Sequence, residues 1–66
     1  MIWYKASETL PPLEEEVLAA AFGPLGVFYE LVELFDWSGD LKWHDYDLLK
    51  DIEHYDYWAE IEAPNV

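Results

Sequence analysis

The stretch from Val17 to Tyr29 is apolar throughout and is cut in its middle by Gly23-Pro24-Leu25-Gly26. Glycine and proline at this density end a regular element and start a turn. A membrane-spanning helix, which needs about 20 consecutive apolar residues, is therefore ruled out here. Two apolar segments must instead meet at a turn. Downstream, Val27–Phe35 is rich in aromatic and β-branched residues, which predicts a central strand, largely apolar on both faces. Trp37-Ser38-Gly39-Asp40 is turn chemistry again, and Leu41-Lys42-Trp43 reads as a short returning strand.

Upstream, residues 13–22 leave two readings open. Acids in a first turn, good helix formers and the stop at Gly23 fit a helix. The alternative is a strand entering the turn, with Val17, Ala19 and Ala21 on one face. Ile2-Trp3-Tyr4 is β-prone, and Pro11-Pro12 stops any strand begun there. Further on, Leu48, Leu49, Ile52 and Tyr55 repeat at helical spacing, which predicts a short helix near residues 46–55. Asp45 or Asp47 would cap it by accepting backbone N–H bonds. Tyr57–Glu62 reads as a last strand, ended by Pro64. The expected fold is α+β: a small antiparallel sheet of three to four strands with one short helix, in a single domain over residues 1–66.

Charge decides what such a domain can meet. Fifteen acids face three lysines and no arginine, a formal charge of −12 on 66 residues. A face for nucleic acid needs clustered lysine and arginine, so direct nucleic-acid binding is not expected. Acidic membrane surfaces should repel the chain as well. Acidic chains that stay disordered are poor in aromatics. This one has four Trp, five Tyr and three Phe, enough apolar surface to fold. With no cysteine, neither disulfides nor cysteine-based zinc sites can support it. Met1–Ser7 lacks the basic start and long apolar run of a signal peptide, and a cytoplasmic setting is expected.

The acids are unevenly spread. Residues 1–29 hold four acids and one lysine, net −3; residues 30–66 hold eleven acids and two lysines, net −9. The dense run includes Asp36, Asp40, Asp45, Asp47, Asp51, Glu53 and Asp56, interleaved with Tyr46, Tyr55, Tyr57 and three tryptophans. Same-face carboxylates about 6–7 Å apart, on a strand or a helix, present a row of charge somewhat as a nucleic-acid backbone does. Small domains usually carry a net charge of magnitude about 2–8, so solubility alone does not require this much. Tyr and Trp are preferred interface anchors. The expected partner-binding set is Asp36, Asp40, Asp45, Tyr46, Asp47, Asp51, Glu53, Asp56 and Tyr57. Tyr46, with Tyr55 or Tyr57, is expected to stay exposed beside the acids.

Other chemistries are weaker. Asp36, Ser38, Asp40 and Asp47 fall at positions 1, 3, 5 and 12 of a calcium loop, but Leu41 stands where the loop needs glycine, so no metal site is expected. His44 and His54 lack ligand spacing and read as surface residues. No nucleophile motif is present, a deep pocket is not expected in so short a chain, and neither an enzyme nor a cofactor is predicted.

The landmarks Trp3, Leu10-Pro11, Glu16-Val17-Leu18, the glycine turn, the aromatic strand, Asp36-Trp37, Trp58-Ala59-Glu60-Ile61 and Pro64 resemble a small domain of unknown function common in phage and prophage proteins. Tyr57 stands where that pattern has histidine, and Ala59 where its Met-Pro begins. The resemblance implies a small antiparallel sheet, tips residues 15–22 toward strand and brings no catalytic residues. By type rather than motif, the chain is similar to phage-encoded inhibitors that mimic DNA, including anti-CRISPR proteins. The expected function is thus an inhibitor that occupies a basic nucleic-acid site on a complex in the host bacterial cytoplasm, acting as a monomer or weak dimer. The alternative is a small acidic adaptor or oligomeric interaction domain that binds a basic protein without imitating DNA.

Overall fold

The computed structural model of the chain describes residues 1–62. It contains one six-stranded antiparallel sheet: β1 (Tyr4–Lys5), β2 (Glu16–Gly23), β3 (Gly26–Trp37), β4 (Asp40–Asp45), β5 (Leu48–Asp51) and β6 (Tyr57–Glu60). Their order across the sheet is β1-β6-β2-β3-β4-β5. The fold is all-β, which corrects the α+β expectation and its three to four strands. Pro64, expected to end the last strand, lies outside the described residues.

Each hairpin follows from its loop. Gly23 pairs with Gly26 across Pro24-Leu25, so β2 and β3 run back along each other in one unbroken register. Residues 16–23 are therefore strand, the second of the two readings. Gly23 lies beneath the Phe28 ring, so close that an added Cβ would stand 2.7 Å from a ring carbon. Trp37 pairs with Asp40 across Ser38-Gly39, both with positive φ (53° and 94°). Two left-handed residues in a two-residue loop match the twist of the flanking strands.

The predicted helix is absent. Leu48–Asp51 forms β5 against β4, and only Ile52–His54 makes a single 3-10 turn. An isolated helix of about ten residues is marginal in water. The competing hairpin supplies a ladder from Asp45↔Leu48 to Lys42↔Asp51. Asp45 and Asp47 accordingly cap no helix. Asp45 is the last residue of β4, and Tyr46 takes φ 55° to start the loop.

Strand alternation sorts the side chains. Val17, Ala19, Val32, Leu34, Trp43 and Trp58 fall on one face and form the core. That face is covered by Ala6 from the N-terminal segment and by Ile52 and Tyr55 from the β5–β6 connection. The Tyr55 ring meets Trp43 edge-on at 5.6 Å, and Tyr4 stacks on Trp58 at 4.7 Å. Both buried indoles are satisfied: Trp43 Nε1 donates to the Ile52 carbonyl (3.0 Å) and Trp58 Nε1 to the Thr9 carbonyl (2.7 Å). Leaving such donors unpaired would cost about 1–3 kcal/mol each.

The second face of the sheet buries only Ala20 and Ala59 and has no full covering layer among the described residues. Phe22, Val27, Tyr29, Leu31 and Trp37 are all exposed on it. Trp3 reaches Tyr29 (6.0 Å between rings), and Phe22 meets Tyr57 edge-on (5.7 Å).

Candidate functional site

The residues singled out from sequence fall into three groups. Asp36, Asp40, Asp51 and Glu53 gather at one end of β4. Asp51 Oδ1 holds Lys42 Nζ at 2.7 Å, while Asp40 and Glu53 lie near enough to help keep that ammonium charged. The lysine in turn pulls the Asp51 carboxyl below the usual range. Asp36 Oδ1 accepts the Gly39 N–H at 2.8 Å, which fixes the β3–β4 turn rather than a cation.

Asp45, Tyr46 and Asp47 lie at the opposite end of β4, about 17 Å from Asp40 at the usual strand rise. Tyr46 is 92% exposed, the most solvent-facing aromatic among the described residues. Asp56 and Tyr57 stand apart, three strand spacings or about 14 Å across the sheet. Asp56 Oδ2 accepts the Phe22 N–H at 3.0 Å and so caps the margin of β2 beyond β6. Tyr57 is half-buried against Phe22. Tyr55 is buried, so of the expected exposed tyrosines Tyr46 alone is fully so. The acids thus form separate clusters rather than one continuous row.

Sequence reading missed the centre between these clusters. Lys50 Nζ, on the core side of β5, contacts Glu30 Oε2 (2.8 Å), Asp45 Oδ2 (3.3 Å) and Tyr55 Oη (3.2 Å). Tyr55 donates its hydroxyl to the same Glu30 oxygen. Hydrogen bonding to Lys50, then to Tyr55, holds the Glu30 carboxyl below its usual range. The bond to Glu30 raises the Lys50 ammonium. Burial, then the Glu30 hydrogen bond, pushes the Tyr55 phenol up to about 12. The available signal was that Lys42 and Lys50 are the two cations among eleven acids after residue 29.

Beyond Asp45, β4 parts from β3 and leaves a groove of about 560 Å3 with Glu16, Glu30, Leu31, Glu33, Asp45 and Tyr46 among its walls. Glu16, Glu33 and His44 are consecutive partners across β2, β3 and β4, with His44 Nδ1 3.5 Å from Glu33 Oε1. Among the described residues, no group of three or more His, Asp or Glu is placed to hold a metal ion. No helix among them is long and apolar enough to cross a membrane. The arrangement can attract and hold cationic groups.

Compared with known proteins, the chain matches no family model, no curated protein and no solved structure.

Proposed function

We propose that this chain is a non-enzymatic, phage-encoded inhibitor that acts in the host bacterial cytoplasm, where it binds a basic nucleic-acid-binding protein and occupies the site of the nucleic acid. One observation carries the reading. Two of the three lysines are already held by carboxylates, Lys42 by Asp51 and Lys50 by Glu30 and Asp45. Of the remaining described acids, all but Glu33, which is half-buried beside His44, face solvent, and none is within ion-pair distance of a lysine. Such a surface steers a basic partner onto itself and repels nucleic acid.

The structure changes which residues test this. Asp45 and Asp51 hold lysines, whereas Asp40, Asp47 and Glu53 are exposed and form no ion pair among the described residues. Combined Asp40→Asn, Asp47→Asn and Glu53→Gln should leave the circular dichroism spectrum intact and abolish capture of the partner from bacterial lysate at low salt. The captured protein should lose its DNA as the inhibitor is added, and capture should weaken steeply with salt. A ternary complex with DNA still bound refutes mimicry.

The bare apolar sheet face favours a second reading, an adaptor or oligomeric domain. Phe22 and Tyr29 are 61% and 59% exposed there, side by side with Val27 and Leu31. Exposed apolar patches of this kind mark protein contacts. Light scattering decides it: a stable dimer at micromolar concentration supports the oligomer.

A further inference from the structure

We infer that the margin of β3 from Val27 to Leu31 accepts an extended, basic segment of the partner protein as an added strand. The inference rests on the basic-partner reading above and specifies how that partner is held.

Backbone parity shows which groups are on offer. In a hairpin with a two-residue loop, the flanking residues exchange both hydrogen bonds. Gly26 therefore turns its N–H and C=O toward β2, and Phe28, Glu30 and Val32 follow at every second position. The Leu34 carbonyl continues that side, where it accepts the Glu14 N–H at 2.8 Å. Counting back from Trp37, which closes the second hairpin, Phe35 and Glu33 turn toward β4. Leu31, Tyr29 and Val27 keep the same parity, but β4 ends at Asp45. The register would next place Tyr46 opposite Leu31. Tyr46 instead takes φ 55° and leads into the loop to β5. The backbone groups of Val27, Tyr29 and Leu31 thus have no partner among the described residues. They span about 14 Å, room for a strand of roughly five residues.

Unpaired edges are normally blunted by lysine, proline, a bulge or a covering segment. Val27-Phe28-Tyr29-Glu30-Leu31 has no lysine and no proline, and its register with β2 is continuous. On the opposite margin of the hairpin, by contrast, Asp56 caps Phe22.

Charge selects the occupant. The groove where β4 leaves β3 is walled by Glu16, Glu30, Glu33 and Asp45. Lys50, the cation beside them, is already engaged by Glu30 and Asp45. A second copy would bring its own −12 and no basic residue along this segment. A foreign strand alternating apolar and basic residues fits instead. Its basic side chains lie on the face of Tyr29 and Leu31, toward Glu33 and Glu16, which no lysine holds, and its apolar ones lie beside Phe28 on the other face.

The test uses a short capped peptide alternating lysine and valine. It is compared with the same peptide N-methylated at the nitrogens that would face β3, and with a version carrying glutamate for lysine. In 15N spectra of the whole chain, the lysine peptide should shift the Val27, Tyr29 and Leu31 amides and protect them from exchange. N-methylation should weaken binding about tenfold or more, and the glutamate peptide should not bind. The change Tyr29→Pro removes a donor that β2 does not use and should weaken binding similarly. The N-methylated peptide gives the same answer should that variant not fold. Equal binding of the two lysine peptides overturns strand addition and leaves the basic-partner reading standing. If no lysine peptide binds at low salt, both fall. Equal binding of the glutamate peptide overturns the basic occupant. Concentration-dependent protection of these amides without peptide assigns the margin to a second copy and overturns the inference.

Discussion

Replacing Lys50 with methionine keeps the apolar stem and removes the cation that Glu30 and Asp45 share. For a fully buried pair, losing one partner costs about 3–5 kcal/mol. Here the Lys50 and Asp45 side chains retain 19% and 17% of their exposure and Glu30 retains 36%, so water screens part of the loss. Discounted for that screening, the expected cost is about 1–2 kcal/mol at neutral pH. A domain of this length has only about 3–10 kcal/mol in total, and each kcal/mol moves Tm by roughly 4–8 °C. Thermal unfolding followed by circular dichroism should therefore show Tm lower by about 5–15 °C. The deficit should also depend on pH. The Glu30 carboxyl is held below its ordinary 4.5, so its bond to Lys50 stabilises the fold above that value and is lost as pH falls through the lowered one. In the variant that bond is missing at every pH. Once the pH is below that lowered value, with the Glu30 carboxyl protonated, the two proteins should converge. Relief of general repulsion acts on both and cancels in the difference. A variant as stable as the parent at neutral pH, or a deficit unchanged by acid, refutes the assignment of Lys50 as the charge that holds this centre together.

Tyr46→Gly should stabilise the chain by about 1 kcal/mol, read from the urea midpoint, because glycine takes the left-handed conformation without penalty. Leu34→Ala, in a site 1% exposed, should cost about 2–5 kcal/mol and leave much of the chain unfolded at 37 °C. Asp56→Ala should cost about 0.5–1.5 kcal/mol and speed hydrogen exchange at the Phe22 amide. In alkaline titration, the phenolate absorbance that Tyr55→Phe subtracts should appear at about 12. Because that phenol is raised above 10.0, its contribution to stability is complete below 10.0 and fades as pH climbs toward about 12.

The two glycine-bearing turns were legible in the sequence because their chemistry is local. Gly23, Gly26 and Gly39 supply what tight reversals need, and the apolar runs beside them can pair only by folding back. Residues 46–55 were not legible. Leu48, Leu49, Ile52 and Tyr55 satisfy a helical face, yet the same residues also serve a strand and a buried connection. What decided between them was distant: the ladder with β4, and Tyr46 in a conformation that no residue preference announces. The acids were legible as a total and not as a layout. Whether Asp45 meets solvent or Lys50 depends on cross-strand register, which the linear order of charges does not contain. Glu30 was invisible as a site residue for the same reason, since its partners lie 20 and 25 positions away.

The bond from Trp58 Nε1 to Thr9, 49 positions apart, bears on how the chain matures during synthesis. The β2–β5 meander is built from neighbours in sequence and can assemble as it leaves the ribosome. Strand β6 fills the gap between β1 and β2 only after nearly the whole described chain has emerged, and closing so long a loop is entropically slow. Until then the margin of β2 at Val17–Ala20 is as bare as that of β3. A stalled or shortened product would therefore carry two unsatisfied borders, and the surplus of negative charge would be its main protection against sticking to its siblings.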